Sequence, residues 1–410
     1  MAASDSDLVA SVPPPVDARV DTAVVGGGVI GLSVAWELAQ RGYGVTVIER
    51  RATPAESPLP DGVTTTEACT SWTAAGILPP ANFELATDPL DRFRGFSHQV
   101  WPDWAARLKT VSGIDVGLIA CGGYYLAETA GEAAAMIGMT SYWDELNIEC
   151  HALSRDQLSA RLPDLTLCKH PDRAAWWIPD EYQVRPPRLL QALHLACRAS
   201  GVQFIENTSV TSIEHAPSSA TIYASDDQSS NIKVATAKRV ILCGGAATGL
   251  IDPTIGLQNS FIPIRGQVLL LRSDAFRAPV VVNIGNRYLV SRGDGQVLVG
   301  SCEEEAGFAQ HATAAMIEQL RQFASHVCPE LAAAPEIYRW AGLRPMTFDG
   351  FPMLGRVPDR SNLYVAAGHY RSGIHFSPAT AIAMADIVDQ RPSFIDLSPF
   401  AVSLSLRSAS

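Results

Sequence analysis

The feature that most constrains this chain is a glycine turn set between two apolar stretches near its start. Val24-Val25 leads into Gly26-x-Gly28-x-x-Gly31, and a helical pattern begins at once. Val29, Leu32, Trp36 and Ala39 recur at spacings of three, four and three, which is one face of a helix. Gly42 ends that helix, Val45 to Ile48 reads as a second buried strand, and Glu49 follows directly. Gly26 permits the tight turn, Gly28 lets backbone approach a pyrophosphate, and Gly31 lets the helix close on the sheet. The free N–H groups and positive end of the helix hold phosphate. Glu49, eighteen residues past Gly31, is placed to accept hydrogen bonds from an adenosine ribose, and its charge opposes a 2′-phosphate. The unit predicts a Rossmann-type dinucleotide site and argues against NADP.

At 410 residues the chain exceeds one simple core, so two interwoven domains are expected. Its 47% hydrophobic and 18% charged residues are those of a soluble globular protein, and a net charge of −11 argues against nucleic acid as a partner. No apolar run approaches the ~18 residues that a membrane span needs. Residues 1–18 are acidic and proline-rich, without a basic start or long apolar core, and read as a disordered leader rather than a signal peptide. The eight cysteines, Cys69, Cys121, Cys150, Cys168, Cys197, Cys243, Cys302 and Cys328, show no CxxC spacing. Neither a zinc site nor a dithiol motif is indicated, no metal is expected, and buried free thiols in a reducing cytoplasm fit the pattern.

Residues 51–65, with three prolines, read as an exposed loop, and Ser71 to Leu78 as a run of small residues that lets something flat approach the backbone. Residues 90–110 predict a long helix leaving the first domain. Gly122 to Ala127 predicts a strand of another sheet, and 130–162 helical material with Ser154 as an N-cap. A helix from Gln183 to about Gly201 precedes short strands at Val202 to Ile205 and Val210 to Glu214. A hairpin from Ala220 to Ala224 and Lys233 to Ala235 is expected before the strand Arg239 to Gly245. From Ile262 to Gly300 the alternation predicts antiparallel strands, with Arg292-Gly293-Asp294-Gly295 as a hairpin turn. Residues 311–333 predict a helix, and Ile337 to Pro345 a return toward the dinucleotide. Leu363 to Gly368 reads as a strand ending in glycine. A last helix starts within 373–378 and runs to about Val388, with Pro378 in its first turn. The fold class is therefore α/β. A Rossmann-type domain is assembled from 19–95, 184–258 and 340–392. An interwoven α+β substrate domain with a mainly antiparallel sheet takes 96–183 and 259–339, and 393–410 is a tail.

Three blocks carry a more specific signal: Trp340-Ala341-Gly342-Leu343-Arg344-Pro345, Asp349-Gly350-Phe351-Pro352-Met353-Leu354-Gly355, and Ala366-Ala367-Gly368-His369-Tyr370-Arg371-Ser372-Gly373-Ile374. With the glycine motif, Glu49 and Thr73-Ala74-Ala75-Gly76-Ile77-Leu78, the chain from about Arg19 to Pro392 resembles the D-amino-acid-oxidase-like family of FAD-dependent amine oxidoreductases. Within it, the blocks most resemble glycine oxidases of the thiamin-pathway type. The resemblance implies FAD, held non-covalently, with its pyrophosphate on Gly26, Gly28, Ile30 and Gly31 and its ribose on Glu49. Val210 matches the position whose backbone meets the adenine. Thr73, Ala74, Ala75 and Gly76, Gly244, and Gly368 with Arg371, Ser372, Gly373 and Ile374 would surround the remainder of the cofactor.

The same resemblance implies oxidative deamination of glycine or another small amine or D-amino acid. A hydride would pass from Cα to flavin N5, the imine would hydrolyse to a 2-oxo acid and ammonia or enter thiazole synthesis, and O2 would leave as H2O2. Arg344 matches the residue that clamps the substrate carboxylate, the work for which a planar bidentate cation is suited. Tyr288 matches the tyrosine that assists it. Arg371 is implied beside flavin and substrate, with a structural loop anchor as the alternative. His369 and His375 are read as structural or flavin-adjacent. The competing functions are a D-amino acid dehydrogenase, or a cyanide-forming glycine dehydrogenase subunit, using an acceptor other than oxygen. A homo-oligomer is implied by resemblance alone.

Overall fold

The computed structural model describes residues 18–52, 69–166, 174–225, 231–275 and 278–403. Most of the leader, most of the proline-rich loop, Cys168 and the end of the tail lie outside the described residues.

Ala18–Val25 is the centre of the first sheet because its second half, Thr22 to Val25, is buried on both faces, as a strand covered on two sides must be. Its parallel neighbours are Val45–Ile48 and Ile232–Leu242, flanked in turn by Gln203–Ile205 and Leu363–Ala367. Met353–Arg356 adds an antiparallel edge, and the hairpin of Ser209–Ala216 and Ser219–Ser225 joins the other half of Ile232–Leu242. Four helices, Val29–Gln40, Pro89–Ser112, Pro186–Ala199 and Gly373–Asp389, pack together over one face. Trp36, Phe93, Trp101, Trp104 and Phe376 fill the layer between them.

The second sheet runs, in order, through Glu336–Met346, Ile262–Arg272, Gln296–Gly300, Arg287–Ser291, Val280–Ile284, Gly123–Ala127, Ala174–Ile178 and His151–Leu153. Every pair is antiparallel except Val280–Ile284 with Gly123–Ala127. One face takes Val282, Leu289, Val299 and Leu269 and is covered by the amphipathic helix Ala314–Val327. The other face looks toward the first sheet. The α/β class with a mainly antiparallel second sheet is thus present.

Several elements differ in detail. Ile337 to Pro345 belongs to Glu336–Met346, which pairs along Ile262–Arg272 and so sits in the second sheet rather than in the third piece of the Rossmann unit. Pro89–Ser112 does not leave the first unit, since it packs on Pro186–Ala199 and Gly373–Asp389. Lys233 to Ala235 and Arg239 to Leu242 form one strand, Ile232–Leu242, because its first half serves the hairpin and its second half the parallel core. Pro378 is the sixth residue of its helix, past the first turn. The Ile374 carbonyl, which proline cannot serve, accepts the Ser377 hydroxyl at 2.9 Å. Ser154 caps Arg155–Arg161 with a reciprocal bond from Gln157.

Candidate active site

The two sheets enclose a cavity of about 1250 Å3. It begins at the glycine turn. Gly26 adopts φ +113°, and a Cβ there would stand 2.5 Å from the Cys243 carbonyl oxygen, so only glycine joins this strand to this helix. Gly31 is packed harder, since its Cβ would fall 1.9 Å from the Gly26 carbonyl. Gly28 caps Val29–Gln40 without any side-chain hydrogen bond, and the first turn holds no acid. The Val29 amide donates to Ser71 Oγ at 3.0 Å, while the Ile30 and Gly31 amides precede the first helical bond, which Leu32 makes to the Gly28 carbonyl at 2.9 Å. Glu49 stands beside this turn. Its Oε2 accepts the Gly27 amide at 2.6 Å and its Oε1 the Arg51 amide at 3.1 Å. Each oxygen keeps a further lone pair, and Glu49 lines the cavity.

The middle of the cavity is bounded by Thr73 to Gly76. Trp340 Nε1 donates to the Thr73 carbonyl at 2.9 Å, and the buried Arg292 donates to the Ala75 carbonyl at 2.6 Å. Arg292 also donates to Gln183 Oε1 and the Val184 carbonyl, and burial lowers its pKa to about 10. Opposite them lie Gly244, Gly368 and the N-terminus of Gly373–Asp389, where Ser372 makes no side-chain cap.

At the far end Arg344 donates to the Cys302 carbonyl at 2.9 Å and to Ser301 Oγ at 2.5 Å. Among the described residues no carboxylate pairs with it. Tyr288 is directly opposite Gly300 across its strand pair and packs on that glycine's bare Cα. Burial raises the Tyr288 hydroxyl above its ordinary pKa, although Arg344 and Ser301 pull the other way, so it remains a neutral donor. Arg371 lines the same cavity, but its guanidinium pairs with Glu303, to which the Tyr370 hydroxyl also donates.

His369 is buried with Nε2 at 2.9 Å from Thr380 Oγ1, and burial lowers its pKa to about 3. His375, near the start of the last helix, is buried with Nε2 at 3.3 Å from His98 Nδ1, and burial with the neighbouring His98 and Arg94 holds it neutral.

Every site residue expected from the sequence faces this one cavity except Gly31, which acts behind it by letting the helix close on the turn. Sequence reasoning missed Ser301, Glu303, Gly266, Asn283 and Glu181, and it read Ser71 as one of a run of small residues without its bond to the Val29 amide. Asn283 carried a signal, as the one polar residue inside Val280-Val281-Val282-Asn283-Ile284.

The lining fits an extended, flat dinucleotide. It offers an uncapped helix start for a diphosphate and a carboxylate for a ribose. Between them and a cationic end runs a slot walled by Thr73 to Gly76 and Gly368. The fold and site therefore define a flavin-dependent oxidoreductase.

The comparisons agree. The family model described as FAD dependent oxidoreductase matches residues 21–387, and the chain belongs to that family. Its cofactor is FAD. The chain is 30% identical over 391 residues to the glycine oxidase of Geobacillus kaustophilus, covering 94% of this chain and 97% of that protein. It is 29% identical to the bifunctional protein ThiO/ThiG of Trichormus variabilis over 95% of this chain and 56% of that protein. The crystal structure of the Geobacillus kaustophilus glycine oxidase superposes with a TM-score of 0.82 at 29% identity, covering 94% of this chain and 99% of that one. No described helix is long and apolar enough to cross a membrane.

Proposed function

We propose that this enzyme oxidises glycine and other small amino acids, with the substrate carboxylate held by Arg344 and Tyr288. The observation that carries the reading is the Arg344 guanidinium. It is fixed by Ser301 and the Cys302 carbonyl, faces the cavity and has no carboxylate partner among the described residues. Two of its five N–H groups are used there, which leaves a fork for a bound carboxylate.

FAD supplies the two-electron acceptor for the Cα–H bond. The chain positions and excludes. Arg344 and Tyr288 fix one end of the substrate, so that rotation about the Cα–carboxylate axis is the freedom left to restrict. The positive end of Gly373–Asp389 lies along the slot and favours negative charge gathering there. No base is required of the protein when the amine enters neutral, which matches a buried His369 already engaged with Thr380. Gly26, Gly28, Ile30 and Gly31, Glu49, Thr73 to Gly76, Val210, Gly244, Gly368 and Ser372 to Ile374 are proposed to hold FAD without a covalent bond. Arg371, tied to Glu303, is proposed to shape the entrance.

Oxygen is the proposed acceptor, with peroxide as its product. The match to one part of a bifunctional protein supports handing the imine to a second enzyme, as thiazole formation in thiamin synthesis would require. Seven free cysteines among the described residues suit a reducing cytoplasm.

The test is the visible spectrum of the purified protein without oxygen, before and after glycine. Bleached flavin bands that recover in air with peroxide formed are expected. A spectrum that glycine, sarcosine and D-alanine all leave intact sinks the reading.

A further inference from the structure

Beside the Arg344–Tyr288 pair the cavity floor carries a second polar cluster. Strand register places Asn283 directly opposite Tyr288 on one side and Tyr125 on the other, and all three line the cavity. The row continues through Gly300 and Val268 to Trp340. Behind it lies Glu181, whose residue is 0% exposed. Its Oε1 accepts Asn283 Nδ2 at 3.2 Å, and its Oε2 accepts the Tyr125 hydroxyl. Among the described residues no cation pairs with Glu181. Gly123 makes the space for it, since a Cβ there would stand 2.3 Å from Oε1.

A carboxyl group sealed away from water with no cation costs free energy that an apolar residue of similar size would not. Its one evident effect is on the groups it touches. Both Glu181 oxygens accept here, Oε1 from Asn283 Nδ2 and Oε2 from the Tyr125 hydroxyl, so Asn283, which lines the cavity, gives its N–H edge to Glu181 and is left with Oδ1 as its free acceptor. Directly opposed side chains of an antiparallel pair stand about 4.5–5.5 Å apart at Cβ. One small α-amino acid can therefore touch both Tyr288 and Asn283. Its carboxylate belongs at the cation, and the remaining polar group is an N–H donor.

Resting on the amine-oxidation reading, we propose that Asn283 Oδ1 receives the substrate amine, with Glu181 as the positioning residue that fixes the amide's orientation. Asn283 is then a specificity determinant, distinguishing amino acids from carboxylates that lack the amine.

The test uses the full-length FAD-loaded enzyme, glycine as substrate and acetate as an inhibitor that has the carboxylate alone. Asn283→Leu is expected to raise the glycine KM by about tenfold or more while the acetate inhibition constant stays within about twofold. Glu181→Leu should move glycine in the same direction. Glu181→Gln, which keeps an acceptor for Asn283, should bring KM back to within about threefold of the parent. Should Asn283→Leu lose its flavin, Asn283→Ser reads the same ratio of glycine to acetate. An unchanged glycine KM, or equal weakening of glycine and acetate, overturns the proposal. Arg344→Ala is the control and should weaken both ligands. If it weakens neither, or if the parent oxidises no amine, the amine-oxidation reading itself has failed.

Discussion

Arg344 lies flat on the bare Cα of Gly266: a Cβ built on that glycine would stand 2.3 Å from Nη2 and 2.4 Å from Cζ. The two residues come from paired strands, Ile262–Arg272 and Glu336–Met346, and the guanidinium uses the gap to reach Ser301 and the Cys302 carbonyl. Gly266→Ala should therefore displace the cation without touching the FAD end of the cavity. The expected result is a KM for glycine raised by about ten- to a hundredfold with normal flavin content, read by steady-state kinetics and the visible spectrum. Arg344→Ala should cost at least as much. An alanine variant with the parent's KM would mean that the guanidinium does not need this position.

Gly31 makes a contrasting prediction. A methyl group at Gly31 collides with the Gly26 carbonyl at 1.9 Å and must part the helix from the glycine turn. Gly31→Ala should be purified colourless, with a flavin-to-protein absorbance ratio well below the parent's. Gly42, at φ +88° with open space around it, serves as the comparison. Alanine there should cost about 1–2 kcal/mol of stability through backbone strain and leave the flavin bound.

The glycine turn and the strands beside it were legible because their signals are local. Gly26, Gly28, Gly31 and Glu49 carry their geometry within one βαβ unit, and Val45 to Ile48 are apolar throughout. What was not legible depends on pairing over long separations. Nothing in Trp340 to Pro345 says that its strand partner is Ile262–Arg272, some seventy residues earlier. Lys238 and Arg239 break the apolar pattern of Ile232–Leu242 because they meet Asp21 at its edge, which made one strand read as two. Arg344 was found through resemblance, whereas Gly266 and Ser301, which position it, have no signature in their own neighbourhoods. Glu181 follows Pro179-Asp180 and reads as a surface turn residue. Only the packing of Gly123 against it shows that it is buried.

Acid stability should depend on the buried histidines. Burial lowers His369 from 6.5 to about 3, and His194, His215 and His375 shift in the same direction for the same first cause. The unfolded chain takes up a proton near 6.5 that the folded chain refuses. The stabilisation is therefore complete above 6.5 and is lost as pH falls toward 3. His369 contributes a slope of about 1.4 kcal/mol per pH unit in that window, and the other three add to it in the same direction. His369→Gln should flatten the fall of the urea midpoint between about pH 6 and 4 relative to the parent. Parallel lines for the two proteins would refute a neutral, buried His369.

Glu181 should act with the opposite sign. Burial raises its carboxyl from 4.5 to about 7, although the hydrogen bonds from Tyr125 and Asn283 favour the charged form. Here the folded chain holds a proton that the unfolded chain has released. The stabilisation is fully present below 4.5 and declines as pH rises through about 7. Glutamine has the same shape and nothing to ionise, so it escapes that decline while still accepting from one of the two donors. Glu181→Gln should match the parent in urea midpoint near pH 4.5 and exceed it above pH 7, by at most roughly 3 kcal/mol. Between 4.5 and 6.5 the Glu181 and histidine slopes oppose each other in the parent, so the variant should also show the steeper acid-side rise of stability with pH. A variant less stable than the parent at pH 8 would mean that the Glu181 carboxyl is not raised in the folded chain, its two donors outweighing burial.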